Sequence, residues 1–296
     1  MKIQTFSILA GSEACNARCP FCVSKMTLPL TEELENLKEP EVNWRNFRIA
    51  CALAKDSGVT TAMFTGKGEP TLFPGQITKY LEAMTPFAFP LIEMQTNGIM
   101  MAEKPERYDP FLKEWYRLGL TLFAISVVHY DPEKNREVYL PYKDSYIDLS
   151  ELITRLHAYG FSVRLTCIMA NGFIDSREKI LSLLSFAKTN RIEQLTVTPV
   201  NKPDEEHSHS GEVWQWTNAH HLTDEQVLDI TQLIEQKGSH LLTLQHGARV
   251  FDVAGQNICL NSCLTMHQAG EDLRNLIFHP DGHLRYYWQY EGATLL

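Results

Sequence analysis

No stretch of this chain approaches the roughly 18 consecutive apolar residues that a membrane-crossing helix needs. The N-terminal MKIQTFSILAGSEAC has one lysine and a short apolar run at residues 6–10, too brief for the apolar region of a signal peptide, so a cytoplasmic, reducing location is expected. Positive charge is in deficit. Lys plus Arg number 27 against 36 Asp plus Glu, a net charge of -9, which excludes a broad electrostatic grip on bulk nucleic acid or an anionic membrane but leaves room for a local basic pocket. Internal repeats and low-complexity tracts are missing, and 44% hydrophobic with 21% charged residues is the balance of a folded globular chain rather than a disordered one. A disulfide framework is missing as well: the seven cysteines are odd in number, and Cys15, Cys19 and Cys22 crowd into one short loop.

The 296 residues amount to about two domains at roughly 150 residues each, or to one large α/β barrel with an appendage. Short β-branched or apolar runs alternate with helical stretches through the first two hundred residues, the pattern of repeated β-α units and a parallel sheet. The candidate strands are 4–9, 60–65, 91–96, 120–127, 162–169 and 195–200, with helices expected over 44–56, 111–118 and 176–188. Six such units predict an α/β fold, a partial (β/α)6 TIM-like barrel over residues 1–200. Residues 201–222, polar with four His and two Trp, read as a long loop or linker. In 223–296 a C-terminal helix opens on the capping-box pair Thr223 and Gln226 and stops at Gly238, and a β-hairpin around HPDGH is expected to close the barrel.

Three thiolates at spacings of four and three, directly after the first strand, can converge on one soft metal centre, and thiolates are the ligands of iron-sulfur clusters. Tetrahedral zinc wants a fourth ligand, and the twenty residues after Cys22 hold neither Cys nor His. Three ligands on a four-iron cube leave one iron open to a substrate or cofactor.

This Cys-x3-Cys-x2-Cys, with the aromatic Phe21 before its last cysteine, resembles the hallmark of the radical S-adenosylmethionine (radical SAM) enzymes. Gly66-Lys67-Gly68-Glu69-Pro70 is similar to the family's Gly-Gly-Glu-Pro stretch, with Lys67 departing from the commoner glycine. Thr96-Asn97-Gly98 is similar to its Thr-Asn-Gly segment, Ser126 falls on the strand whose serine meets the cofactor, and 164–172 is like the strand that approaches the adenosyl group. Each motif lies at the C-terminal end of a candidate strand, where parallel α/β folds place their sites. The resemblance implies one 4Fe-4S cluster on Cys15, Cys19 and Cys22, and S-adenosylmethionine positioned by Phe21, Gly66, Gly68, Glu69, Thr96, Asn97, Ser126 and Arg164. It further implies a reductant such as flavodoxin or ferredoxin, reductive cleavage to a 5'-deoxyadenosyl radical, and hydrogen abstraction from a small-molecule or peptide substrate.

Alternation along 161–169 puts Phe161, Val163, Leu165, Cys167 and Met169 on the packed face and Arg164 inside the barrel, where it meets either an anion or an internal Glu69 or Glu93. Gln194, Thr196 and Thr198 form a second inward polar face. Cys51 and Cys167 read as core thiols. Cys259 and Cys263, upstream of the hairpin, resemble the auxiliary-cluster region of the molybdenum-cofactor GTP cyclase and of peptide maturases, but the second hairpin strand has no Cys. A second cluster would need His267, His279, His283 or a partner, so a single cluster is the expectation. His207, His209, His220 and His221 match no metal spacing, and Trp214 and Trp216 stand ready to cover a substrate. Two alternatives stand beside this reading: a peptide-modifying maturase with an auxiliary cluster, and a non-catalytic iron-sulfur or zinc protein.

Overall fold

Segments whose apolar side chains recur at every second position become strands, and the helices between them cover the buried side. The computed structural model describes residues 3–26, 37–200, 211–244, 246–261, 273–288 and 292–296. In chain order the elements are β1 (Ile3–Leu9), the single turn α1 (Val23–Met26), α2 (Trp44–Asp56), β2 (Thr61–Thr65), α3 (Pro74–Met84), β3 (Leu91–Thr96), α4 (Ile99–Glu103) and α5 (Pro105–Arg117). There follow β4 (Leu122–Val127), α6 (Pro132–Tyr139), α7 (Leu149–Ala158), β5 (Ser162–Met169), α8 (Arg177–Thr189) and β6 (Gln194–Pro199). The C-terminal part adds α9 (Gly211–His220), α10 (Asp224–Lys237), β7 (Ser239–Thr243), β8 (Arg249–Val253), β9 (Gln256–Leu260), β10 (Leu273–Phe278) and β11 (Leu284–Arg285).

All the strands join one sheet in the order β11-β10-β1-β2-β3-β4-β5-β6-β9-β8-β7. The expected six units stand side by side, β1 to β6, and every neighbouring pair from β10 through to β9 is parallel. Alternation in β5 sorts Val163, Leu165, Cys167 and Met169 into the core and leaves Arg164, Thr166 and Ile168 half-buried on the concave face. Cys51 and Cys167 are fully buried among apolar neighbours, as expected of core thiols.

Two expectations about the C-terminal part need correction. The loop assigned to 201–222 contains the helix α9 over its second half; 201–210 lie outside the described residues. α9 buries only Val213 and Thr217 among its ten positions, so it shows almost no apolar periodicity. The hairpin does form, with β10 antiparallel to β11 across the turn at 279–283, but it does not close the barrel. It extends the β1 edge, while β7, β8 and β9, which were not anticipated, extend the β6 edge. Among the described residues no strand joins the two edges, so the sheet is open. α5 also starts six residues before the expected 111.

Helix starts are fixed by side-chain caps: Asp131, Asp148 and Ser176 accept from Glu133, Glu151 and Lys179 backbone N–H groups, and Thr223 and Gln226 make the reciprocal capping box. The outer face of β10 is locked by rings. Phe47 of α2 lies 4.8 Å from Tyr80 of α3 and 5.0 Å from Phe278 of β10, centroid to centroid, with all three fully buried. Such edge-to-face contacts add to the area they bury. Replacing Phe47 with Ala should destabilise the protein by about 3–5 kcal/mol, read as a lower urea midpoint at unchanged m-value; a shift below about 1 kcal/mol would show that β10 is anchored elsewhere.

Candidate active site

The cysteine loop leaves β1 at the C-terminal end of the sheet and is tied to the turn after β2 by backbone bonds. Ala10 N donates to Thr65 O at 2.8 Å, Gly68 N to Ser12 O at 3.1 Å and Glu69 N to Ala14 O at 2.9 Å. The approach is so close that a Cβ on Gly68 would stand 2.0 Å from the Ala14 carbonyl oxygen, and one on Gly66 3.0 Å from that of Ala10. At Gly11, φ is +76° and a Cβ would meet the Phe73 ring at 2.2 Å. On its far side the loop is pinned by Arg18 N donating to Tyr139 O at 3.0 Å and by the Tyr142 hydroxyl donating to Asn16 O.

Glu69 joins the motifs. Its carboxylate, 3% exposed, accepts from Thr71 N at 3.0 Å, Thr71 Oγ1 at 2.6 Å and Thr96 Oγ1 at 2.6 Å through one oxygen, and from Asn97 N at 2.9 Å through the other. Asn97 then donates from Nδ2 to Asn16 Oδ1 at 2.7 Å, which returns the chain of contacts to the cysteine loop. Gly98 takes φ +74° to begin α4, with its N–H on Thr96 Oγ1. Glu69, Thr96 and Asn97 are thus brought together with the loop bearing Cys15, Cys19 and Cys22.

The three thiols lie within electrostatic reach of one another. Although Cys15 is exposed as a residue, burial of its sulfur pushes the thiol up to about 11, with Glu69 and Cys22 adding to the rise against the Ala17 N–H that bonds its Sγ at 3.4 Å. Burial also raises the Cys19 thiol, reinforced by Cys22 and Cys15. Thiols crowded so that neighbouring sulfurs raise the pKa values of Cys15 and Cys19 are a set of ligands short of a cation. Lys67 is buried beside them; desolvation lowers its pKa, and Glu13 and Cys22 oppose that shift.

The concave face of the sheet is polar. Arg164 donates from Nη2 to Glu93 Oε1 at 2.5 Å, the internal carboxylate of β3 rather than Glu69. Its Nε is buried without a partner, as is Thr198 Oγ1. Ser126, Thr166, Thr196 and Cys259 stand in register on β4, β5, β6 and β9. Burial raises the Cys259 thiol pKa, and Arg164 opposes that rise. Phe21 packs against Tyr139 at 6.1 Å and Trp216 at 5.5 Å, and Trp216 stacks on His220 at 4.2 Å, so α9 rests on the cysteine loop. His220 and His221 each place Nδ1 on a backbone carbonyl. Cys263, His207, His209 and His267 lie outside the described residues.

Residues 10–187 match the family described as the Radical SAM superfamily. The chain belongs to the radical SAM superfamily. It is 28% identical over 127 residues to a GTP 3',8-cyclase of Heliobacterium modesticaldum, covering 43% of this chain and 35% of that protein. To a probable dual-specificity RNA methyltransferase RlmN of Pelodictyon phaeoclathratiforme it is 26% identical over 189 residues, covering 59% and 49%. The match thus spans between about a third and a half of these relatives' length. Among solved structures, Streptococcus suis SuiB bound to S-adenosylmethionine superposes with TM-score 0.61 at 14% identity over 96% of this chain and 60% of that one. Methylornithine synthase PylB does so with TM-score 0.52 at 15% identity, over 79% and 63%.

A radical SAM site takes a 4Fe-4S cluster and S-adenosylmethionine, and the residues present fit both. The cluster's positive iron would offset the repulsion among three thiolates held in one loop. The unpartnered Arg164 Nε and Thr198 Oγ1 leave hydrogen-bonding capacity on the concave face for a polar ligand. Asn16, Thr71 and Gln76, whose Oε1 accepts from Gly11 N at 2.7 Å, are site supports that sequence reading missed; single polar residues in loops carry no periodic signal. Gly68→Ala should cost about 1–3 kcal/mol through overpacking and reduce iron per chain after reconstitution while far-UV dichroism stays native. Full iron loading in that variant would show that the turn can move away from Ala14.

Proposed function

We propose that this chain is a catalytic radical SAM enzyme that reductively cleaves S-adenosylmethionine at one 4Fe-4S cluster held by Cys15, Cys19 and Cys22, and abstracts hydrogen from a small-molecule or peptide substrate. The observation that carries this reading is the Glu69 carboxylate tying the Thr-Asn-Gly segment to the Gly-Glu-Pro turn, which is itself bonded to the cysteine loop. A protein that only stores a cluster has no need of such a cradle. When bound, the cluster and cofactor supply one-electron cleavage and hydrogen-atom abstraction. The chain's own residues bind and orient: Gly66 and Gly68 let the backbone come close, Glu69, Thr96 and Asn97 fix the turn that faces the cofactor, Phe21 flanks it and Ser126 lines the concave face. Arg164, held by Glu93, presents a charged wall to whatever occupies the lumen. A flavodoxin or ferredoxin delivers the electron, and a reducing cytoplasmic setting suits the free thiols.

The structural likeness to SuiB, also solved bound to its precursor peptide SuiA with TM-score 0.61 at 14% identity, keeps peptides within the substrate class. The overall acidity disfavours bulk nucleic acid. Anaerobically reconstituted protein should hold about four irons per chain; about eight would indicate an auxiliary cluster and the maturase reading. With dithionite it should form 5'-deoxyadenosine. Replacing any one of Cys15, Cys19 or Cys22 with Ala should remove the brown colour and lower that product by at least about tenfold, the least that losing even a residue behind a metal's ligands costs. Unchanged iron content in those variants would overturn the assignment.

A further inference from the structure

We propose that Lys67, His279 and Arg285 form a pocket for an anionic group of the substrate, a carboxylate or a phosphate, at the edge of the sheet beside the cluster loop; this rests on the radical SAM reading above.

The three residues reach the same place from three elements. On β10 the core takes Leu276 and Phe278, while Asn275 turns to the other face and accepts from Ser7 Oγ at 2.9 Å. His279 continues that inner face. Phe278 is in register with Ile8, so His279 comes level with Leu9, and Leu9 is paired with Thr65, two residues before Lys67. Arg285 on β11 stands opposite Ile277, on the same inner face. Arg285 acts electrostatically on both Lys67 and His279, and Lys67 acts on His279. Lys67 also senses Cys22, which puts the group next to the cluster ligands.

What marks the place as a ligand site is a pair of unmet hydrogen bonds. His279 is 2% exposed and its Nδ1 has no partner; Arg285 Nε is buried and has none either. A buried orphan nitrogen costs about 1–3 kcal/mol, and native structures hold few of them. A guanidinium Nε–H can only donate, so its missing partner is an acceptor. Of the carboxylates nearby, Asp281 pairs with His283 at 2.9 Å and accepts from its backbone N–H, and Glu13 acts on Lys67. Among the described residues Arg285 makes no ion pair. Burial pushes the His279 imidazole down to about 3, Arg285 and Lys67 working in the same direction against Asp281, so the ring is neutral at pH 7. A planar fork, a point charge and a neutral imidazole are a donor set for carboxylate or phosphate.

The anion could instead be the carboxylate of S-adenosylmethionine, and the experiment separates the two sources. Reconstituted full-length protein, saturated with S-adenosylmethionine, is titrated calorimetrically with inorganic phosphate and with acetate at constant chloride. One phosphate per chain is expected. Arg285→Gln should weaken it about tenfold or more, the worth of a charge-assisted bond, and Arg285→Lys should recover most of the loss. His279→Gln, with iron content and urea midpoint checked, guards against misfolding of the arginine variant. S-adenosylmethionine affinity should stay within about twofold in Arg285→Gln. Displacement of phosphate by the cofactor, or equal phosphate binding by wild type and Arg285→Gln, would overturn the proposal. Phosphate binding and 5'-deoxyadenosine formation are separate readouts, so failure of one is distinguishable from failure of the other.

Discussion

A carboxylate buried at 3% exposure is tolerated only where hydrogen bonds replace its water, and at Glu69 four of them do. Those bonds come from the 3₁₀ turn after Glu69 and from the end of β3, while the Glu69 backbone N–H holds Ala14. The cysteine loop therefore has little intrinsic structure of its own: it inherits its path from Glu69, from the glycines that admit it, and from Asn97 reaching Asn16. Removing the carboxylate would free Thr96, Thr71 and Asn97 N–H at once, so the turn, the β3 end and the loop stand or fall together.

Much of this was legible in the sequence, for identifiable reasons. β1 to β6 were readable either because burial alternates, as in β2 and β5, or because short apolar runs are buried together, as in β1, β3 and β4. The site motifs were readable because parallel strands deliver their C-terminal ends to one rim. The strands after residue 238 were not: β7 is exposed along its whole length and carries no apolar pattern, and β8 and β9 are short. α9 stayed hidden because it fully buries only Val213 and Thr217, while Trp216 reaches Phe21, Phe173 and His220 from a partly exposed position. For Arg164 alternation gave the direction of the side chain but could not choose between Glu69 and Glu93, because two carboxylates on the inner face differ only in three-dimensional distance.

The open sheet matters for what the site can admit. Its inner face runs from the paired Ser7 and Asn275 on β1 and β10 to the row Ser126, Thr166, Thr196 and Cys259, a polar surface crossed by the Arg164–Glu93 pair. That pair neutralises itself, while Lys67 and Arg285 act on His279 at the β10 edge.

The parallel pairing of β1 with β10 has a further consequence, for how the chain is made. Ser7 and Asn275 are hydrogen-bonded across 268 positions of sequence, so the outer edge of the first strand has no partner until β10 has been made. At ribosomal speeds that interval is on the order of tens of seconds. During it β1 is a one-sided template with a reactive thiol loop attached. Until β10 arrives that edge is open to pairing with another chain.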